Sequence, residues 1–253
     1  MPGTDWGWLI TPTEFTSWLL EDGPEVAVLN KPPLVVCHPS KQGPWSSLIG
    51  AAREFYGLPT LHMPFRLDRE TSGVWLLAKT REAGQRLQRA VQARQVEKSY
   101  LAIVEGEMTA AVTVDRPIGR TETSVVRIKQ EVRDDGQSAV THFTPLSTAR
   151  LSSSSPGYSL VRVVTETGRL HQIRVHAAFL GHPLVGDKMY GPDETLFVDF
   201  LEHGWGGRLP EMLVLPRQAL HCESVRFPQL GLSYSAALTP DLAEFCRREG
   251  LSA

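Results

Sequence analysis

The chain predicts an α+β fold: a single catalytic-size domain built on one large mixed, mostly antiparallel sheet, flanked by helices and loops. Three observations carry that expectation. Short apolar runs suited to strands recur along the chain, but without the regular strand–helix–strand rhythm of a parallel sheet. The glycines supply neither Gly-x-Gly-x-x-Gly nor Gly-x4-Gly-Lys-Ser/Thr, which disfavours the common nucleotide-binding folds. The 253 residues and 28.0 kDa, 42% apolar and 21% charged, match a globular composition with room for a sizeable core.

Each element follows from local chemistry. Thr11 or Thr13 with Pro12 starts a short helix carrying Phe15, Trp18 and Leu19, within an N-terminal extension of residues 1–24 that packs on a domain spanning 25–253. Glu25 to Lys31 and Leu34 to Cys37 read as strands broken by Pro32-Pro33. Ser46 to Tyr56 is a helix with Leu48, Ile49, Ala52 and Phe55 on one face, stopped at Gly57. Val74 to Ala78 is a buried strand, and Arg81 to about Arg94 a helix. Val96 to Val104, apolar on both faces apart from Lys98 and Ser99, reads as a central strand. Val112–Val114, Val125–Lys129 and Ala139–Phe143 are short strands of a sheet with an excursion, and Leu151–Gly157 is a polar hairpin turn before the strand Tyr158–Thr165. Arg169 to Leu180 is helical and ends at Gly181; Leu220 to Phe227 is a late strand; Thr239-Pro240 caps a final helix through Arg248.

Composition narrows the function. Three cysteines, an odd number without a Cys-x-x-Cys pair, argue against a disulfide framework and a structural zinc site and fit a reducing cytoplasm. The first residues lack the basic and apolar regions of a signal peptide, and no apolar run has the length of a membrane span. A net charge of -2 and a pI near 6.5 do not mark a nucleic-acid binder as a whole. Locally the balance differs: between Lys79 and Lys98, Lys79, Arg81, Arg86, Arg89, Arg94 and Lys98 stand against Glu82 and Glu97, a net +4. That is either a solvated helix face or a basic contact surface.

The stretch Phe65–Thr80 carries the most chemistry. Asp68 lies between Arg66 and Arg69, just ahead of the turn formers Thr71, Ser72 and Gly73 and an apolar strand. Nearby cations favour the ionised carboxylate, and an ionised carboxylate in a loop on a rigid strand can serve as a nucleophile or base. An isolated Arg-x-Asp-Arg is also an ordinary surface ion pair. His171 and His176 invite a metal reading, but their five-residue spacing suits one helical face poorly and no third ligand is evident.

Arg66-Leu-Asp-Arg-Glu-Thr-Ser-Gly73, followed by a strand ending in Ala78-Lys79, closely resembles the signature of the RluA-type pseudouridine synthases. Four further blocks extend the resemblance from about Val26 to Pro228: Val28–Pro39; Lys98-Ser-Tyr-Leu-Ala102; Gly168-Arg-Leu-His-Gln-Ile-Arg-Val-His176, continuing as Gly181–Gly191; and Gln218-Ala-Leu-His221 to Phe227-Pro228. The resemblance implies the pseudouridine synthase fold and an isomerase that breaks the N-glycosidic bond of a uridine, turns the base and rejoins it through carbon 5. It needs no cofactor or metal. It implies that Asp68 is the nucleophile, that Tyr100 stacks on the uracil and takes part in proton transfer, and that Arg174 pairs with Asp68. Arg66 is implied to enter the stack where the base leaves, and Arg69 and Lys98 to contact RNA.

Two positions depart from the family's habit: Phe65 stands where His is usual and Leu170 where Thr is common. The stretch before Val26 is shorter than the N-terminal RNA-binding domain of many relatives, so RNA selection is expected from the catalytic domain's own loops. The partner implied is ribosomal or transfer RNA, bound by a cytoplasmic monomer. One alternative is a catalytically inactive RNA-binding protein on the same fold. Another, a glycosidase with an Asp nucleophile, needs a second carboxylate, for which Glu70 is the only neighbour in sequence.

Overall fold

A computed structural model describes residues 9–38, 43–149 and 157–252. In chain order these form α1 (Pro12–Ser17), β1 (Leu19–Asp22), β2 (Val26–Lys31), α2 (Leu48–Tyr56), β3 (Ser72–Ala78), α3 (Arg81–Gln92), β4 (Glu97–Glu105), β5 (Val112–Asp115), β6 (Ile118–Arg120), β7 (Gln130–Val132), β8 (Val140–Ala149), β9 (Tyr158–Thr165), α4 (Gln172–Phe179), α5 (Thr195–His203), α6 (Leu209–Met212), β10 (Leu220–Phe227), β11 (Leu232–Ser235) and α7 (Pro240–Arg248). The class is α+β as expected, with nine strands in the main sheet, helices flanking them, and β6–β7 as a separate two-stranded ribbon. The fold divides into two compact units: the stretch up to Lys98 with Cys222–Ala237, and Ser99–His221 with the chain from Leu238 onward. Residues 1–8 of the expected extension and 151–156 of the expected polar turn lie outside the described residues.

In the first unit, β1 pairs antiparallel with β2, β2 with β3, and β11 with β10, which lies beside β3. Every residue of β3 is buried, the burial that its unbroken apolar run called for. Gly73 lets β3 approach its neighbour: its φ is +109°, and a Cβ there would lie 2.2 Å from the Cys222 carbonyl oxygen. Three caps set the helices. Thr11 and Glu14 form a reciprocal capping box on α1, Ser47 caps α2 through the Gly50 amide, and Thr80 caps α3 through the Ala83 amide.

The strand expected at Leu34–Cys37 is not formed. Pro32 and Pro33 have no amide to donate, Leu34 adopts a left-handed φ of 70°, and the Val36 and Cys37 carbonyls accept the Leu48 and Ile49 amides at 2.9 and 3.2 Å. The segment thus caps the start of α2 instead of joining a ladder.

The second unit orders its strands β4-β9-β8-β5, all antiparallel. Helix α7 covers one face, packing Leu242, Phe245 and Cys246 on Leu101, Ile103 and Leu160. Its start is clamped by buried Arg217, which donates to Asp241 at 2.7 and 3.1 Å and to the Thr239 hydroxyl at 2.7 Å. The strand expected at Val125–Lys129 is a turn between β6 and β7. Val126 goes into the core with Met189 and Tyr190, while Glu194 accepts from Ser124, the Val125 amide and Lys129. Those tertiary anchors outweigh the β-branched composition. Helices α5 and α6 were not expected from the pattern; Leu196, Phe200, Leu209 and Leu213 make them a small core of their own.

Helix α4 begins at Gln172, three residues later than the pattern suggests, because the Gln172 side chain fills the place of a first turn. Its amide oxygen accepts from the Thr167 hydroxyl at 2.7 Å and the Arg169 amide at 3.0 Å. Its nitrogen donates to the Val140 carbonyl and the Thr141 hydroxyl, each at 2.9 Å. Thr141 in turn faces Nδ1 of His176 at 2.8 Å, and His176 Nε2 faces the Arg116 carbonyl at 3.0 Å. A carbonyl can only accept, so Nε2 carries the proton and Nδ1 accepts from Thr141. With both ring nitrogens committed, His176 is a tie between α4 and β8.

Burial depresses the His176 pKa, only partly opposed by the Arg116 carbonyl. A depressed histidine pKa means that folding favours the neutral ring, so the contribution is complete above the unfolded value of about 6.5 and declines as pH falls below it. Wild-type thermal stability is expected to drop between pH 7 and 5 more steeply than that of His176→Asn, by up to about 1.4 kcal/mol per pH unit for one proton. Parallel profiles in thermal melts of the two proteins would contradict this assignment.

Candidate active site

The Asp68 loop is built by a buried cation. Lys31 ends β2 fully buried, opposite Gly73 in the ladder. Its ammonium donates to the carbonyls of Pro32 at 2.9 Å, Arg69 at 2.9 Å and Thr71 at 2.7 Å. A tight turn closes between them, the Thr71 amide donating to the Asp68 carbonyl at 3.1 Å. From the other side the Cys37 thiol meets the Leu67 carbonyl at 3.4 Å, and Arg69 Nε donates to the strained Leu34 carbonyl at 3.1 Å. Leu67 and Thr71 are buried, and Asp68 between them is half-buried. The carboxylate therefore stands on backbone held at four carbonyls, the kind of rigid support a reacting group requires.

The other residues singled out in this unit differ in character. Arg66 is exposed. Arg69 is half-buried, and desolvation lowers its pKa despite the charge of Glu70. Lys98 is half-buried with its ammonium 5.3 Å from the Phe65 ring centre, and burial pushes its pKa down. Phe65 thus supplies an aromatic face to a lysine.

Tyr100 and Arg174 belong to the second unit. Tyr100 sits on β4 opposite Val163 of β9 and is 8% exposed. Arg174 projects from α4 and is buried, with a bidentate partner that sequence reasoning did not assign: Nε and Nη2 donate to the two carboxylate oxygens of Asp187 at 2.7 and 2.8 Å. Asp187 is fully buried, and its Oδ1 also accepts the Met189 and Tyr190 amides at 2.9 and 3.1 Å. Burial alone would raise its pKa, but Arg174 and the two amides hold the carboxyl below its ordinary value. Gly186 prepares this turn with a φ of +75°, its position against the Arg217 carbonyl leaving no room for a Cβ. The Tyr190 ring lies 4.9 Å from the Arg174 guanidinium. Asp187, Tyr190 and Lys31 all stand within blocks that carry the family resemblance. The signal that could have found them was charged or polar residues inside otherwise apolar or turn-forming motifs.

Residues 25–179 match the family model described as RNA pseudouridylate synthase. An uncharacterized RNA pseudouridine synthase of Bacillus subtilis is 36% identical over 240 residues, covering 91% of this chain and 76% of that protein. The ribosomal large subunit pseudouridine synthase D of Yersinia pestis is 34% identical over 92% of this chain and 70% of its own. Its namesake in Vibrio cholerae is 37% identical over 87% and 67%. Among solved structures, human RNA pseudouridylate synthase domain containing 4 superposes with a TM-score of 0.70 at 24% identity, covering 96% of both chains, which is a likeness of fold.

Proposed function

Because the chain belongs to the RNA pseudouridylate synthase family, a family of isomerases, we propose that it converts a particular uridine of ribosomal RNA to pseudouridine with Asp68 as its nucleophile. The observation that carries this reading is the Asp68 turn. A half-buried carboxylate is fixed by Lys31, Cys37 and Arg69 through the backbone around it, leaving its chemistry to the side chain. In this reading Tyr100 stacks on the extruded uracil with its ring while its hydroxyl moves a proton, since a phenol offers a flat apolar face and a polar tip. Arg174 keeps Asp68 ionised as its counter-charge. Arg66 enters the stack vacated by the base, offsetting part of the few kcal/mol that extrusion costs. Arg69 and Lys98 support RNA contacts, and the protein works as a cytoplasmic monomer. Ribosomal RNA is favoured over transfer RNA by the names of the relatives from Yersinia pestis and Vibrio cholerae.

The test is release of tritium from carbon 5 of labelled uridine, with ribosomal large-subunit RNA and transfer RNA offered separately. Release from ribosomal RNA is the expected result. Release from transfer RNA alone would move the target, and release from neither would end the proposal.

Binding is expected to be electrostatic despite the acidic pI, given the net +4 of Lys79–Lys98 and exposed Arg66. Each lost phosphate contact reduces the salt slope of log affinity by roughly 0.7 to 0.9. Arg66→Gln should show a reduction of no more than that size, together with a larger loss of turnover. A wild-type slope near zero would contradict RNA binding through phosphates.

A further inference from the structure

His171 is one of three non-glycine residues with positive φ among those described, at φ 56° and ψ 19°. The left-handed region is costly for a side chain with a Cβ, and such strain persists only where surrounding contacts impose it. Arg94 has an ordinary reason, since it closes the end of α3 with its amide on the Val91 carbonyl. His171 does not. It stands at the N-cap of α4 yet makes no side-chain capping bond. Its Nδ1 instead lies 2.9 Å from the Tyr190 hydroxyl, with the two rings edge to face at 5.7 Å and 80°.

Tyr190 is the hub of this arrangement. Its hydroxyl also receives the Gln130 amide at 2.9 Å, so the ring is held at its tip from two directions. Its amide donates to Asp187, and its face lies against the Arg174 guanidinium. Asp187 fixes Arg174 in the plane of the guanidinium, through the bidentate pair. The Tyr190 ring limits movement out of that plane, and His171 sets the ring. His171 is tied to the first turn of α4 by its carbonyl, which accepts the Val175 amide at 2.9 Å.

We propose that His171 is a positioning residue for Arg174, acting through Tyr190, and that its strained backbone is retained for this purpose. The inference rests on the reading that Arg174 serves the isomerisation. It adds that the orientation of the guanidinium, and not its charge alone, is set by a histidine that acts through the Tyr190 ring.

The test compares wild type, His171→Asn, Tyr190→Phe and the double variant by tritium release at several RNA concentrations, with Asp68→Asn as the inactive reference and thermal melts throughout. Asn tolerates the left-handed conformation, so His171→Asn is expected to melt within a few degrees of wild type. Its kcat should fall about tenfold with KM within about threefold, the pattern of an interaction that matters in the transition state. Tyr190→Phe keeps the ring against Arg174 and removes only the hydroxyl, and should lose a similar factor. The double variant should be no slower than the slower single, because both changes cut the same link. A purely structural histidine would show its coupling to Tyr190 in the melts and leave kcat of the folded variants near wild type. Additive losses, or kcat within twofold of wild type for either folded single variant, would overturn the proposal. Wild type no faster than Asp68→Asn would instead overturn the functional reading beneath it.

Discussion

Asp68→Asn is expected to abolish pseudouridine formation while leaving the fold and RNA affinity close to wild type. The substitution removes the anion at nearly constant shape, and the turn is held through its backbone: Lys31 binds the Pro32, Arg69 and Thr71 carbonyls, Cys37 the Leu67 carbonyl, and the Thr71 amide the Asp68 carbonyl. The loss should reach roughly a thousandfold or more, the scale on which removal of a covalent nucleophile is felt. Tritium release measures the rate, filter binding the affinity and a thermal melt the fold. Appreciable turnover by the Asn variant would remove Asp68 from the role of nucleophile. A rate lost together with the fold would show instead that the carboxylate helps to hold its own turn.

The second large effect is expected at Asp187. Asp187→Ala strips a buried arginine of its bidentate partner and frees the Met189 and Tyr190 amides, while Arg174→Met leaves a buried carboxylate without its cation. Breaking one side of a buried pair costs about 3 to 5 kcal/mol. Because burial is the largest influence on Asp187 and opposes ionisation, the pair is held by its geometry, and near-isosteric Asp187→Asn should recover only part of the loss. The Asp187 pKa lies below the ordinary 3.8, so its contribution is complete above that value and disappears as pH falls below it. Urea denaturation at pH 7 measures the difference. A change under about 1 kcal/mol, the size typical of exposed ion pairs, would show that the pair is not buried in solution as it is in the structure. Activity should fall with stability in both variants, because Asp187→Ala leaves Arg174 without the carboxylate that orients it and Arg174→Met removes the guanidinium itself.

Much of the fold was legible because local and tertiary preferences agree. β9 and β10 run over Tyr158–Thr165 and Leu220–Phe227, the bounds their composition suggested, since both are apolar stretches flanked by turn formers. Helices α2 and α7 follow from the stop at Gly57 and the start at Pro240. Where local preference and tertiary contacts disagreed, the contacts prevailed. Val125–Lys129 has the composition of a strand, yet Val126 is drawn into the core and Glu194 gathers the segment into a turn. Leu34–Cys37 has apolar strand character, but its carbonyls are taken by the first amides of α2.

The candidate site divides the same way. The Asp68, Tyr100 and Arg174 blocks could be found in the sequence by itself, because their chemistry is carried by contiguous motifs whose residue types are constrained together. With them came the α+β class and the family. What holds those residues could not be found there. Asp187 is thirteen positions from Arg174, and Lys31 is forty from the Thr71 carbonyl that it binds. In sequence both look like ordinary charged residues beside a turn or a strand end. Only the folded chain decides that each is buried, and burial makes their bonds strong: without water as an alternative partner, an ammonium must find carbonyls and a carboxylate must find a guanidinium.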